Sequence, residues 1–183
     1  MQVHKTELPG VLIVEPKVFG DERGYFMETW SQPRYAEQVT TDFFVQDNVS
    51  FSRRGVLRGL HYQRVNTQAK LVYVLLGEVF DVAVDVRWGS PTFGQWTSVL
   101  LSAENKKQFF VPAGFAHGFC VTSETALFAY KCTDVYNPQA EYTVLWNDPT
   151  LAIPWPAPHP ELSAKDAQGT LLAEVAEELL PRY

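Results

Sequence analysis

Gly55–His61 (Gly-Val-Leu-Arg-Gly-Leu-His) and Pro112–His117 (Pro-Ala-Gly-Phe-Ala-His) each end on a histidine, and each has the spacing of half a metal motif, G-x5-H and P-x-G-x-x-H. A complete first half continues H-x-H and then reaches a glutamate. Here Gln63 stands where the second histidine belongs, and Thr67 and Gln68 stand where the glutamate belongs. One histidine from each half cannot supply the three or four nitrogen and oxygen ligands a transition metal takes. The pattern predicts no metal between His61 and His117, and it turns His61 into a candidate acid or base.

Arg53, Arg54, Arg58, Arg64 and Lys70 fall within Asn48–Gly77, a stretch with no Asp or Glu. A basic stretch is usually a solvated rim. The other reading is a pocket for an anionic small molecule, such as a phosphate or diphosphate. Charge alone favours the rim, and the motif residues interleaved with these charges favour the pocket. In Val79–Val86 the odd positions are Val, Asp, Ala, Asp, so period two puts Asp81 and Asp85 on one face. In a one-sided sheet that face is the wet one. In a barrel with a polar cavity it points inward, where carboxylates can orient His61 and His117. Strict alternation over Val56–Gln63 sends Arg58 and His61 to opposite faces. Gly59 lies between them, and a glycine inside a strand often marks a bulge that re-aims side chains. We therefore expect a bulge near Gly59 that lets both face one cavity.

The elements that must position these residues read as strands. Val11–Glu15, Tyr25–Trp30, Phe43–Phe51, Val56–Gln63, Lys70–Leu76, Glu78–Val86, Gln95–Leu101, Gln108–Val111, His117–Val121, Thr125–Lys131 and Tyr142–Trp146 are short runs rich in Val, Phe, Tyr, Trp and Leu, punctuated by Gly, Pro, Asn or Ser. Many short strands predict an all-β jelly roll. Ser31, Pro33 and Arg34–Val39 predict one short helix with proline in its first turn. Leu171, Leu172, Val175, Leu179 and Leu180 recur at helical spacing. Pro154, Pro156, Pro158 and Pro160 predict an extended strap over the barrel.

The 183 residues fit one domain, 1–183, and 46% hydrophobic content gives it a core. A net charge of −6 argues against general nucleic-acid binding. Cys120 and Cys132 lack zinc or redox spacing and read as buried free thiols. The longest apolar stretch, Leu71–Val86, is interrupted by Glu78, Asp81 and Asp85, so no membrane span is expected. A cytoplasmic protein is the default expectation. Val11–Glu15 reads as an exposed strand able to pair with a partner chain.

The two histidine motifs resemble those of the cupins, kept in part. Beyond them, Phe19–Phe26, Val45–Asn48, Val56–Gln63, Gly77–Asp85, Ser90–Trp96, Pro112–Phe119, Leu145–Asp148 and Leu162–Asp166 resemble the dTDP-4-dehydrorhamnose 3,5-epimerases, in order and with small gaps. The resemblance implies a cupin-type jelly roll, a homodimer, and catalysis without cofactor or metal. It implies inversion of carbons 3 and 5 of dTDP-4-dehydro-6-deoxy-D-glucose to dTDP-4-dehydro-L-rhamnose, in dTDP-L-rhamnose biosynthesis. By the same resemblance His61 is the base, Asp166 its partner, Lys70 the enolate-stabilising cation and Tyr130 the opposing acid. Arg23, Gln46, Asn48 and Arg58 match diphosphate and nucleoside contacts, with Phe19, Phe26 and Glu28 nearby. His117 matches an active-site histidine, with Asp81 as its partner.

The chemistry needs these residue types. A hydrogen beside a ketone is weakly acidic, so its removal takes a positioned base and a donor or cation on the developing enolate oxygen. Inversion needs a proton from the opposite face. Carbons 3 and 5 both flank the carbon 4 ketone, so one site can serve both. Alternatives remain. A single-carbon epimerase or a ketoisomerase on a related nucleotide 4-keto sugar shares the chemistry. A metal cupin is disfavoured by the ligands missing after His61. A non-catalytic sugar-binding module is disfavoured by the His61–Asp166 pair. Residue by residue the plainer readings are a core histidine, a solvated Lys70, a core Tyr130 and an Asp166 that only caps a helix.

Overall fold

Branched and aromatic residues, broken by turn formers, give thirteen strands in a computed structural model that describes residues 1–183. Six of them pair in the order β1 (Gln2–Lys5), β2 (Leu12–Glu15), β10 (Gln108–Val111), β7 (Lys70–Leu76), β12 (Thr125–Cys132) and β5 (Gln46–Arg53). Five more pair in the order β13 (Glu141–Thr143), β6 (Leu57–Gln63), β11 (Phe115–Val121), β8 (Glu78–Asp85) and β9 (Trp96–Ser102). β3 (Val18–Asp21) and β4 (Gly24–Met27) form a separate hairpin. The ladders are antiparallel, and the two large sheets close face to face into the expected jelly roll.

The inner faces meet in one apolar layer. Val72, Val74, Phe109 and Phe128 come from the six-stranded sheet, and Val79, Ala83, Leu101 and Phe119 from the five-stranded one. A second layer lies outside the five-stranded sheet. There Leu60, Tyr62, Val82, Val84 and Ala116 pack against Leu151, Leu172 and Leu180, with Trp155 of the proline strap at their edge. This explains β8. Its even positions are covered by the tail and its odd ones point into the barrel, so Asp81 and Asp85 are both fully buried.

Two expectations are corrected. Leu171–Leu180 forms no α-helix but two 3-10 turns, Leu172–Glu174 and Glu177–Leu179, with Val175 and Leu180 extended. Apolar spacing by threes and fours suits 3-10 turns as well as an α-helix. The tail is also tied at both ends: Leu172 N–H donates to Asp148 at 2.7 Å, and Tyr183 N–H to the Trp88 carbonyl. These ties override a weak helical preference. The second correction concerns β2, which is paired on both sides, by β1 and β10, and so offers no free edge. The free edge of the six-stranded sheet beside the cavity is β5. The first short helix does form as α1 (Gln32–Ala36), with Ser31 at its N-cap position and Pro33 in its first turn.

Candidate active site

β6 carries the expected bulge. His61 pairs with His117 of β11, whereas Arg58 pairs with Phe119, so three steps along β6 match two along β11. The extra residue lies at Gly59–Leu60, where Gly59 has φ +124° and the peptide bond is cis. The two backbones touch here. A Cβ on Gly59 would sit 2.6 Å from Gly118 Cα, and one on Gly118 would sit 2.7 Å from the Arg58 carbonyl oxygen. Only glycine fits at either position. Gly118→Ala should cost about 1–3 kcal/mol by overpacking against backbone that cannot yield, read as a lower denaturant midpoint. Wild-type stability in that variant would mean the bulge does not depend on this close approach.

The bulge brings Arg58 and His61 to one cavity of about 300 Å³, lined also by Lys70, His117, Tyr130 and Asp166. His61 hangs from the five-stranded sheet. Tyr130 and Lys70 hang from the six-stranded sheet, so the imidazole and the phenol stand on opposite walls. Asp166 comes from α2 (Ala164–Ala167), a four-residue turn capped by Ser163. His61 Nε2 lies 2.5 Å from Asp166 Oδ1, and Ser163 Oγ donates to Asp166 Oδ2 at 2.8 Å. Burial pushes the Asp166 carboxyl up. The bonds from His61, Ser163 and the Gly59 N–H outweigh it and hold the group below the usual carboxylate range.

His117 Nε2 lies 2.9 Å from Asp81 Oδ1, the pairing expected from period two. Burial pushes the Asp81 carboxyl up, against the pull of His117 and Lys70. Asp85 does not serve either histidine. It sits at the strand end, where Arg87, Ser90 and Thr92 fold back and donate to it. Burial lowers the Lys70 ammonium below the ordinary lysine value, opposed by Cys132, Glu141 and Asp81. Burial raises the Tyr130 phenol, with smaller pushes from Cys132 and Glu141, so it stays protonated across the neutral range.

Sequence reading missed several lining residues: Ser50, Phe119, Tyr136, Glu141, Ser163 and Lys165. Glu141 accepts from Tyr136 Oη at 2.7 Å, pairs with Lys165, and stands 3.9 Å from His61 Nδ1. Burial would raise its carboxyl, but Lys165, Tyr136 and His61 hold it low. The sequence signal for Glu141 was the strand begun at Tyr142, one residue too late. Tyr136 lies in a loop with no periodic signal.

Of the other candidates Arg58 lines the cavity, and the rest are not among its lining residues. Asn48 and Gln46 share β5 with Ser50, opposite Tyr130 and Cys132, and bond to each other at 3.0 Å. Arg58 Nε donates to Ser52 Oγ at 3.1 Å. Phe19, Arg23 and Phe26 belong to the β3–β4 hairpin and line a separate, open cleft, and Glu28 pairs with Arg34 of α1. These four do not reach the cavity of their own chain. The donor set also fails to fit a transition metal. Both histidine Nε2 atoms face carboxylates, Gln63 is bonded to the carbonyls of Asn66 and Val135, and no three His, Cys, Asp or Glu side chains converge as metal ligands.

Barrel and chamber together define an all-β enzyme of the cupin-like jelly-roll class, with groups able to move protons on two opposite walls. A family model described as dTDP-4-dehydrorhamnose 3,5-epimerase matches residues 5–174. A Salmonella typhimurium protein of that description is 58% identical over 94% of this chain and 96% of its own length. A Neisseria gonorrhoeae relative of the same description is 52% identical over 98% of this chain, which spans only 55% of that longer protein. The solved dTDP-6-deoxy-D-glucose-3,5-epimerase of Legionella pneumophila, in complex with dTDP-4-keto-L-rhamnose, is 58% identical, with a TM-score of 0.97 over 100% of this chain and 98% of its own. The chain belongs to the dTDP-4-dehydrorhamnose 3,5-epimerase family.

Proposed function

We infer that the protein inverts carbons 3 and 5 of dTDP-4-dehydro-6-deoxy-D-glucose, giving dTDP-4-dehydro-L-rhamnose for dTDP-L-rhamnose biosynthesis. One observation carries the reading: a carboxylate-backed His61 and a protonated Tyr130 face the same cavity from opposite sheets, with Lys70 beside them. Asp166 occupies Nε2 of His61, which leaves Nδ1 as the atom that takes the proton. The resulting imidazolium is stabilised by Asp166 and by Glu141 behind Nδ1. Lys70 meets the charge that develops on the carbon 4 oxygen. Tyr130 returns a proton to the other face, and the phenolate is protonated again from solvent. The ketone acidifies both neighbouring hydrogens, so no cofactor is required. Arg58, Asn48 and Gln46 hold the diphosphate and nucleoside, which serve as a binding handle.

The test is incubation with dTDP-4-dehydro-6-deoxy-D-glucose in deuterated water. Deuterium at carbons 3 and 5 with inverted configuration is expected. Label and inversion at one carbon alone would establish the single-carbon epimerase instead. No uptake at all would leave only a binding module.

We also infer a homodimer. Val49 and Phe51 on the edge strand β5 are exposed at 62% and 59%, and Leu75 and Leu76 at the end of β7, one strand further in across β12, at 45% and 52%, so apolar side chains lie exposed beside a free strand edge. A second copy on this face would also let hairpin residues Phe19, Arg23 and Phe26, with Glu28, serve a cavity other than their own. Phe51→Asp should shift the protein from dimer to monomer in sedimentation velocity and weaken dTDP binding. A monomeric wild type at micromolar concentration would sink both ideas. No helix of the chain is long and apolar enough to cross a membrane. Two buried free thiols fit a cytoplasmic location.

A further inference from the structure

Ser163 stands directly behind the His61–Asp166 pair. Its Oγ accepts from the Asp166 backbone N–H at 3.1 Å and donates its one proton to Asp166 Oδ2 at 2.8 Å. Its carbonyl accepts from Ala167 N–H at 3.0 Å, closing the turn. Asp166 is 3% exposed, so solvent cannot substitute for a lost partner. The terminal torsion of an aspartate has a broad minimum, so the orientation of this carboxylate is set by its partners, the Ser163 hydroxyl and the Gly59 N–H beside His61. With Oδ2 pinned by Ser163, Oδ1 is left aimed at His61 Nε2. The tautomer of the imidazole follows from that aim: a proton on Nε2 and a lone pair on Nδ1.

We propose that Ser163 is a positioning residue for the base, fixing the Asp166 carboxylate so that His61 is held as the Nε2–H tautomer with Nδ1 free to take the substrate proton. The proposal rests on the reading of His61 as the base. Ser163 touches no reacting atom in this scheme. It acts through Asp166, so the binding of the nucleotide handle should be indifferent to it.

The experiment compares Ser163→Ala, Ser163→Gly and Ser163→Thr with wild type. Glycine is a tolerated N-cap, so Ser163→Gly removes the hydroxyl at little cost to the turn. Nitrogen-15 spectra of the His61 ring need no substrate. Wild type and Ser163→Thr should show one neutral tautomer, protonated on Nε2, and the Ala and Gly variants should show a mixture. With substrate, kcat should fall on the order of tenfold in Ala and Gly and recover in Thr, while the affinity for dTDP stays unchanged. A single Nε2–H tautomer with wild-type kcat in Ser163→Gly would overturn the proposal. If wild type itself shows no solvent exchange with the keto sugar, the functional reading fails, and the tautomer measurement still decides whether Ser163 sets the imidazole.

Discussion

His61→Ala removes both epimerisation and solvent exchange, by roughly 10³-fold or more, and leaves dTDP affinity near the wild-type value. This expected result separates chemistry from binding. His61 is a cavity-facing imidazole whose Nε2 is committed to Asp166 of α2, the carboxylate that lines the same cavity. His117 is turned onto the wholly buried Asp81 instead. Arg58→Ala should do the opposite. Losing a charged hydrogen-bonding group costs about 1.5–3 kcal/mol, so dTDP binding should weaken roughly 10- to 100-fold with a smaller effect on kcat. Deuterium exchange and nucleotide affinity, measured on the same two variants, read the two roles apart. Near-normal exchange in His61→Ala would send the search for the base to His117.

The sequence carried the barrel because strand patterning is local. Each of the eleven short apolar runs overlaps one strand, and β1 and β3 were missed as four-residue strands with little apolar alternation. The bulge was legible for a physical reason: Arg58 and His61 conflict under strict alternation, and Gly59 is the residue able to resolve it. The inward turn of Asp81 was legible as a condition, that of a barrel with a polar interior. Asp85 shared the same period and went elsewhere, because Arg87, Ser90 and Thr92 capture it at the strand end. Periodicity fixes a face and not a partner.

What the sequence did not carry is long-range. Asp166 meets His61 across more than a hundred residues, and only family resemblance joined them. Glu141 reaches Nδ1 because β13 pairs with β6 in the register Thr143 to His61 and Glu141 to Gln63, which no local pattern announces. The C-terminal leucines misled because their spacing suits two kinds of helix, and the ties to Asp148 and Trp88 decide between them. The hairpin residues Phe19, Arg23 and Phe26 are a different case. Their matching residue types put them in a binding site, and their own chain leaves them in a separate cleft.

Tyr130→Phe should uncouple exchange from inversion. The substitution removes one oxygen at little cost in shape, and the phenol makes no hydrogen bond within the chain that would be lost with it. Its proton is firmly held, because burial raises the phenol above its ordinary value, so it is an acid only towards something strongly basic. An enolate carbon qualifies. In the variant His61 and Lys70 remain, so the enolate still forms and is reprotonated from the His61 wall. Deuterium should therefore enter the recovered substrate with retained configuration, while inverted product falls by roughly 10²-fold or more. The measurement is label content and stereochemistry in one sample. Loss of exchange together with inversion would mean that Tyr130 helps form the enolate. Full inversion by the variant would remove Tyr130 as the acid and make water or His117, which also lines the cavity, the next donor to test.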